Sequence, residues 1–135
     1  MIRLAWLVMP AIVNPHSVKV SIITVVYNNA KYVRNAIQST LSQDYGNIEY
    51  IVIDGGSNDD TLGIIQKYDT QLDFWLSEGD AGIYDAMNKG IELSTGDYIG
   101  ILNSDDFFSN PQVVKKIAER FLTEKIDAVF SQLDV

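Results

Sequence analysis

Cysteine is absent from this 135-residue sequence, and histidine occurs once, at His16. The first absence excludes a disulfide framework and any zinc site built from cysteine. His16 lies in an N-terminal apolar segment, and no role is assigned to it. Cations are also few: 10 Lys and Arg residues stand against 18 Asp and Glu residues, giving a net charge of −8. Because affinity for a phosphate backbone comes mainly from Lys and Arg, a nucleic-acid partner is excluded, and a phosphate-bearing ligand would need a metal ion as mediator.

The sequence also has no apolar run long enough to span a bilayer. Its first segment, "MIRLAWLVMPAIVNPHS", is apolar from Leu4 to Val13 but is interrupted by Pro10. Its length suits the apolar core of a signal peptide, yet no small-x-small cleavage site follows. We therefore interpret residues 1–17 as an accessory N-terminal segment and expect one domain over residues 18–135.

From Lys19 onward, apolar runs typical of buried strands alternate with segments of helical periodicity. The predicted strands are "KVSIITVVY", "IEYIVID", "DFWLSE", "GDYIGILN" and "DAVFS". The predicted helices cover "AKYVRNAIQSTLSQ", residues 59–68, residues 84–93 and a segment that opens at Pro111; Ser57 and Asp60 are predicted to form a capping box before the second of them. The alternation indicates an α/β fold of three α/β/α layers with a mostly parallel sheet.

Polar residues follow four of the predicted strands directly. They are Tyr27 to Asn29, Asp54 to Gly56, Glu78 with Asp80, and Asn103 to Asp106. Ligands of open α/β sheets bind outside the carboxyl ends of the strands. A single Asp at a strand end is usually a turn or cap residue, but four polar clusters at one edge favour a binding site.

The known phosphate cradles are missing from this edge. The turn "VVYNNAKY" contains no GxGxxG, and the chain contains no GxxxxGK[ST], so both NAD-type dinucleotide binding and a P-loop are excluded. Carboxylates at strand ends suit a hard divalent cation such as Mg²⁺ or Mn²⁺ instead. Such an ion would convert an edge that repels a diphosphate into one that binds it.

Four blocks, "VSIITVVYNNAKYVRNAIQSTLSQDY", "EYIVIDGGSNDDT", "GIYDAMNKGI" and "GDYIGILNSDD", occur in an order and spacing that resembles glycosyltransferase family 2. The resemblance covers Val18 to Val135 and implies the Rossmann-like GT-A fold, here its N-terminal donor-binding half. It further implies inverting transfer of a sugar from a nucleotide-diphosphate donor with a divalent metal, Mn²⁺ or Mg²⁺.

The resemblance also implies roles for individual residues. Thr24, Val25 and Tyr27 match the first-strand segment that lines the base pocket, where an aromatic ring can stack on the base. Asp54 matches the acidic residue that hydrogen-bonds the edge of the nucleobase. Asp85 and Lys89 lie in the block shared with the family, and Lys89 either faces a phosphate or is a solvated helix residue.

Asn103, Ser104 and Asp105 match the family's DxD motif, with Asn in place of its first Asp. This replacement removes one negative charge, so metal affinity could be lower. By this match Asn103 and Ser104 belong to the nucleotide-sugar site and Asp105 is the expected direct metal ligand. Asp106 is expected to support the metal or to cap a helix.

The resemblance implies that the catalytic base lies beyond Val135, so residues 18–135 are expected to be an incomplete, donor-binding fragment of the family's domain, with the C-terminal acceptor half absent. The implied acceptor is a polysaccharide or lipid-linked glycan of the cell surface. The implied location is cytoplasmic. If the part of the protein beyond Val135 associates peripherally with the membrane, the location would be the inner face of the membrane. Two alternatives stay open: a nucleotide-sugar binding module without catalysis, and a Mg²⁺-dependent receiver domain with Asp54 as phosphoacceptor, which would need an acidic pair where "VYNN" stands.

Overall fold

The computed structural model describes residues 3–8, 18–124, 127 and 130–132. Within them, six strands and four helices follow one another along the chain. The strands are β1 (Arg3–Val8), β2 (Val20–Val26), β3 (Ile48–Asp54), β4 (Phe74–Ser77), β5 (Tyr98–Asn103) and β6 (Phe130–Gln132). The helices are α1 (Val33–Leu41), α2 (Thr61–Gln66), α3 (Ile83–Leu93) and α4 (Val113–Thr123).

The strands form one sheet in the order β4-β3-β2-β5-β1-β6. β2 pairs in parallel with β3 and β5, and β3 pairs in parallel with β4. β1 pairs antiparallel with β5 and with β6. The predicted α/β fold with a mostly parallel sheet is confirmed, and the parallel strands bring their carboxyl ends to one edge.

Alternate residues of the parallel strands enter two separate apolar layers, as the two-residue period of a strand requires. On one face, Ile22, Tyr50 and Val52 pack in a cluster with buried residues of α1, α2 and α4. On the other, Ile23 and Ile53 pack with residues of α3. The face of the sheet on which a strand-end side chain lies decides whether it reaches the site described below.

α3 packs against β2 at Gly90, where no side chain separates the helix from the sheet. A Cβ on Gly90 would be 2.4 Å from Cγ2 of Ile23. Real Cβ atoms do not approach so closely, so any larger residue would push α3 away from β2. The position of α3 therefore depends on this contact, and the start of α3 contributes Ile83 and Ala86 to the cleft described below.

The structure differs from the sequence predictions at several element ends. Residues 3–8, expected in an accessory segment, form β1 beside β5. The second helix is shorter than predicted, Thr61–Gln66, and the last begins at Val113, two residues after Pro111. Residues 128–129 of the predicted fifth strand lie outside the described residues, and β6 begins at Phe130.

Among the described residues, no helix is both long and apolar enough to cross a membrane.

Candidate nucleotide-sugar site

A cleft of about 880 Å³ lies at the carboxyl ends of the parallel strands. Its lining comes from the ends of β2, β3 and β5, from the loop between β4 and α3, and from the start of α3. The lining residues are Val25, Val26, Tyr27, Asn28, Asn29, Gly55, Gly56, Gly79, Asp80, Gly82, Ile83, Ala86, Asn103, Ser104 and Asp105. The volume is within the range of small-molecule sites, and the position is the one expected for ligands of an open α/β sheet.

Tyr27 forms one side of the cleft. The residue is 62% exposed, although it directly follows a fully buried strand. Burial of apolar surface stabilises a complex by roughly 25 cal/mol per Å². A flat ligand that stacked on the exposed Tyr27 ring would gain this free energy. Val25, two residues earlier in the chain, also lines the cleft.

Thr24 does not line the cleft. Its position on β2 places the side chain on the opposite face of the sheet from Val25, where it is fully buried. There its Oγ1 lies 2.9 Å from the hydroxyl of Tyr50, and the two form a hydrogen bond. The prediction that Thr24 contacts the ligand overlooked the two-residue period of the strand.

Asp54 is also on the face away from the cleft, with no exposed surface. Its Oδ2 accepts hydrogen bonds from the backbone N–H of Ser57 (3.0 Å) and from the hydroxyl of Ser77 (2.6 Å). Its Oδ1 accepts from the hydroxyl of Ser57 at 2.5 Å. This geometry does not fit the predicted direct contact with a nucleobase. It equally contradicts the receiver-domain alternative, because a phosphoacceptor must be accessible.

The loop between β4 and α3 closes over the end of β3 because Gly55 has no side chain. A Cβ on Gly55 would lie 2.8 Å from Oδ2 of Asp80. Asp80 lines the cleft, and its Oδ1 accepts a hydrogen bond from the backbone N–H of Gly82 (2.9 Å), which fixes the turn into α3. Sequence reasoning noted the carboxylate but did not assign it to the site.

Lys89 and Asp85 do not line the cleft; they pair with each other. Nζ of Lys89 lies 2.9 Å from Oε1 of Glu78 and 3.2 Å from Oδ2 of Asp85. The hydrogen bond to Glu78, followed by the one to Asp85, raises the pKa of Lys89. The backbone N–H of Ala81 and then Lys89 lower the pKa of Asp85. Lys89 thus neutralises two carboxylates of the protein, and the prediction that it faces a phosphate is not supported by its position.

The loop after β5 carries the candidate metal ligands. Asp105 is exposed and lines the cleft together with Asn103 and Ser104. Ser104 is 8% exposed, and its Oγ accepts a hydrogen bond from Nδ2 of Asn29 (2.9 Å), which links this loop to the loop after β2. Oδ1 of Asn103 and Oδ2 of Asp106 are buried and have no hydrogen-bond partner in the protein.

Asp106, the next residue of the same loop, is buried. Its side chain is 3% exposed and it is not part of the cleft lining. Burial, and then the negative charge of Asp105, raise the pKa of the Asp106 carboxyl to about 6, while a hydrogen bond with the side chain of Asn103 opposes the shift. A buried carboxylate with an unpaired oxygen is costly unless a cation compensates it.

These oxygens fit a divalent cation in chemistry and in number. In the described part of the chain, no three acidic or histidine side chains converge into a metal-binding group. However, Mg²⁺ and Mn²⁺ are commonly held by one or two carboxylates and complete their shell with water and substrate phosphates. The carboxylate of Asp105 and the unpartnered amide oxygen of Asn103 are hard ligands of this kind, and the buried carboxyl of Asp106 follows them in the same loop.

The fold matches that of glycosyltransferases of the GT-A type. S. aureus TarS superposes with a TM-score of 0.68 and 29% identity, over 75% of this chain and 31% of TarS. A mannosyltransferase of Pyrobaculum calidifontis, solved in complex with GDP-Man and Mn²⁺, superposes with a TM-score of 0.72 and 23% identity, over 88% of this chain and 36% of that protein. The second likeness shows the fold alone.

Sequence comparison identifies the family. Residues 21–135 match the family described as Glycosyl transferase family 2, and the chain belongs to it. An uncharacterized glycosyltransferase of Mycobacterium tuberculosis is 43% identical over 101 residues, which are 74% of this chain and 38% of that protein. Chondroitin synthase of Escherichia coli is 37% identical over 105 residues, which are 76% of this chain and 15% of the synthase. The chain therefore spans less than half the length of these relatives.

Proposed function

We propose that this chain forms the donor-binding part of a glycosyltransferase that transfers a sugar, with inversion, from a nucleoside-diphosphate donor to a polysaccharide or lipid-linked acceptor. One observation carries the proposal: a single cleft is lined by an exposed aromatic residue, Tyr27, by an exposed carboxylate, Asp105, and by Asn103, whose buried Oδ1 has no hydrogen-bond partner in the protein. An aromatic platform at one end and metal ligands at the other are what a nucleoside diphosphate requires.

The charge of the cleft supports a metal as part of the donor complex. The residues that line it include Asp80 and Asp105 but neither Lys nor Arg. Such a surface would repel a diphosphate. A divalent cation held by Asp105 and Asn103 would reverse the local field and act as a Lewis acid on the departing diphosphate. Lys89 does not replace the metal in this account, because it is already paired with Glu78 and Asp85.

The cleft residues have separate roles in the proposed donor complex. The Tyr27 ring stacks on the base, and the cleft floor at Gly55 and Gly56 admits the nucleoside close to the backbone. Asn103 and Asp105 hold the metal, and Ser104 keeps their loop aligned with Asn29. The base that deprotonates the acceptor hydroxyl is proposed to lie in sequence that the longer relatives have and this chain does not span. Solved relatives support the donor class, since S. aureus TarS has been crystallised with UDP-GlcNAc and with UDP.

The remaining parts of the proposal concern the cell. Synthesis of a cell-surface glycan on the cytoplasmic side, with peripheral attachment to the inner face of the membrane, would bring the enzyme to the place where nucleotide sugars are made. Fractionation of cells that express the complete protein tests this part separately. Recovery outside the cytoplasmic and inner-membrane fractions would contradict it.

Calorimetric titration with UDP and GDP, with and without Mn²⁺, tests the proposed function. We expect binding of at least one nucleotide that depends on the metal. Asp105→Asn should abolish the metal dependence, whereas Asp44→Asn makes the same charge change at an exposed position outside the cleft and should not. Absence of metal-dependent binding in the unchanged protein would overturn the proposal.

A further inference from the structure

Ser57 links the buried carboxylate of Asp54 to the backbone of the loop after β2. The hydroxyl of Ser57 donates to Oδ1 of Asp54 at 2.5 Å, and its oxygen accepts the backbone N–H of Asn28 at 2.7 Å. A serine hydroxyl has one proton, so donation to Asp54 directs its lone pairs toward Asn28. Asp54, held by Ser77 as well, therefore sets the orientation of the acceptor that Asn28 uses.

Asn28 needs this support because its backbone is in the left-handed region. Its φ is 47°, the one positive φ of a residue other than glycine within the described chain. Such a conformation is disfavoured for residues with a side chain, although Asn tolerates it better than most. A second bond holds it from the other side, since Oδ1 of Asn28 accepts the backbone N–H of Asn58 at 2.8 Å. Both contacts come from the loop between β3 and α2.

The N–H of Asn28 belongs to the peptide group that joins Tyr27 to Asn28, so its bond to Ser57 holds the backbone immediately after Tyr27. Tyr27 is 62% exposed, so core packing does not fix its ring. The ring is therefore placed by the backbone that carries it, and the bond from Asn28 to Ser57 restrains that backbone just beyond the end of β2 at Val26.

We propose that Ser57 is a positioning residue for the nucleobase: through Asn28 it holds Tyr27 against the cleft, and Asp54 orients the Ser57 hydroxyl. The inference rests on the proposed function, because it concerns binding of the nucleoside part of the donor. It assigns Asp54 an indirect role in base binding, consistent with its complete burial. It also explains why Ser57 does not cap α2, whose first N–H, that of Thr61, is bound instead by Oδ1 of Asp59 at 2.9 Å.

The test compares ligands with and without a base. UDP, GDP and inorganic pyrophosphate are titrated, each with Mn²⁺, into the unchanged protein and into Ser57→Ala, Ser57→Thr and Ser42→Ala. Ser42 is exposed, bonds only locally to the carbonyl of Ser39, and lies outside the cleft. We expect Ser57→Ala to weaken the nucleotide bound by the unchanged protein by about 3- to 10-fold, the worth of one hydrogen bond, and to leave pyrophosphate unchanged. Ser57→Thr should restore nucleotide affinity, and Ser42→Ala should behave as the unchanged protein.

The outcomes separate this inference from the proposed function. If the unchanged protein binds neither nucleotide, the proposed function fails. If it binds one and Ser57→Ala binds equally well, or loses pyrophosphate to the same extent, the positioning role is overturned. Amide hydrogen exchange in the unchanged protein gives a test that needs no variant: the Asn28 N–H should be protected although the residue is exposed, and rapid exchange there would also overturn the role.

Discussion

Nζ of Lys89, on α3, lies 2.9 Å from Oε1 of Glu78, at the start of the loop that lines the cleft. The pair joins the loop to the helix that follows it. It also explains why a lysine close to a candidate diphosphate site is not aimed at a phosphate.

Lys89→Gln is expected to leave pyrophosphate affinity in Mn²⁺ nearly unchanged and to lower the melting temperature slightly. The second effect should be lost at about 1 M salt, where exposed charges are screened within roughly 3 Å. Thermal unfolding at low and high salt checks the stability effect, and calorimetry checks the affinity. A large loss of pyrophosphate affinity would show that Lys89 contacts the phosphates after all.

Gly90→Ala is expected to destabilise the protein by about 1–3 kcal/mol, because the added methyl group would collide with Ile23. Gly63→Ala is the matched control: Gly63 is also inside a helix, but a Cβ there would have no atom within 4 Å. It should stabilise by about 0.5–1 kcal/mol through helix propensity. Urea denaturation measures both changes. Equal effects of the two substitutions would contradict the close contact of α3 with β2.

Thr24→Val is expected to affect stability and not nucleotide binding. Burial raises the pKa of Tyr50 to about 12, and the Thr24 hydroxyl is one of its hydrogen-bond partners. Loss of that bond should cost about 0.5–1.5 kcal/mol. Tyr27→Ala, on the cleft, should have the opposite profile, since one base-stacking contact is worth about 1–3 kcal/mol of binding. Denaturation and calorimetry on both variants check these expectations. Weaker nucleotide binding by Thr24→Val would contradict the assignment of Thr24 to the core.

The pKa of Glu49, near the start of β3, predicts that the stability of the protein depends on pH. Burial alone would raise its pKa, but hydrogen bonds from Ser21, Thr95 and Lys19 outweigh burial and lower the pKa below its ordinary value of 4.5. A carboxyl with a lowered folded-state pKa contributes stability above its unfolded pKa and loses that contribution as the pH falls through its folded pKa.

Glu49→Gln should therefore be less stable than the unchanged protein at neutral pH, and the difference should close below about pH 4.5. Denaturation midpoints measured between neutral and acid pH check this. Glu92→Gln makes the same charge change at an exposed position of α3 and is the matched control. A difference that widened on acidification would contradict the lowered pKa.

The sequence predicted the fold and the edge of the sheet that carries the cleft, because strand and helix periodicities were clear and parallel strands place their ends together. It did not resolve which strand-end residues face the ligand. Thr24 and Val25 are adjacent in sequence but lie on opposite sheet faces. Asp54 shares the buried face of Tyr50 and Val52, a relation that the two-residue period alone could have indicated.

Other features depended on contacts that sequence cannot supply. Ser57 was predicted to cap α2, yet its hydroxyl bonds Asp54 and Asn28 from residues brought together only by the fold. The pairing of Lys89 with Glu78 crosses from a loop to a helix in the same way. β1 was not predicted, because its pairing with β5 is long-range and its apolar residues, interrupted soon after by Pro10, carry no strand signal of their own.

Chemical-shift mapping by NMR, with UDP or GDP added in the presence of Mg²⁺, tests the central claim most directly, because it locates the ligand on the folded protein. We predict that the largest shifts fall on Tyr27 to Asn29, Gly55 and Gly56, and Asn103 to Asp105, and that Glu49 and Thr95 at the opposite edge are unaffected. Shifts concentrated at the opposite edge, or none at all at saturating nucleotide, would contradict the account.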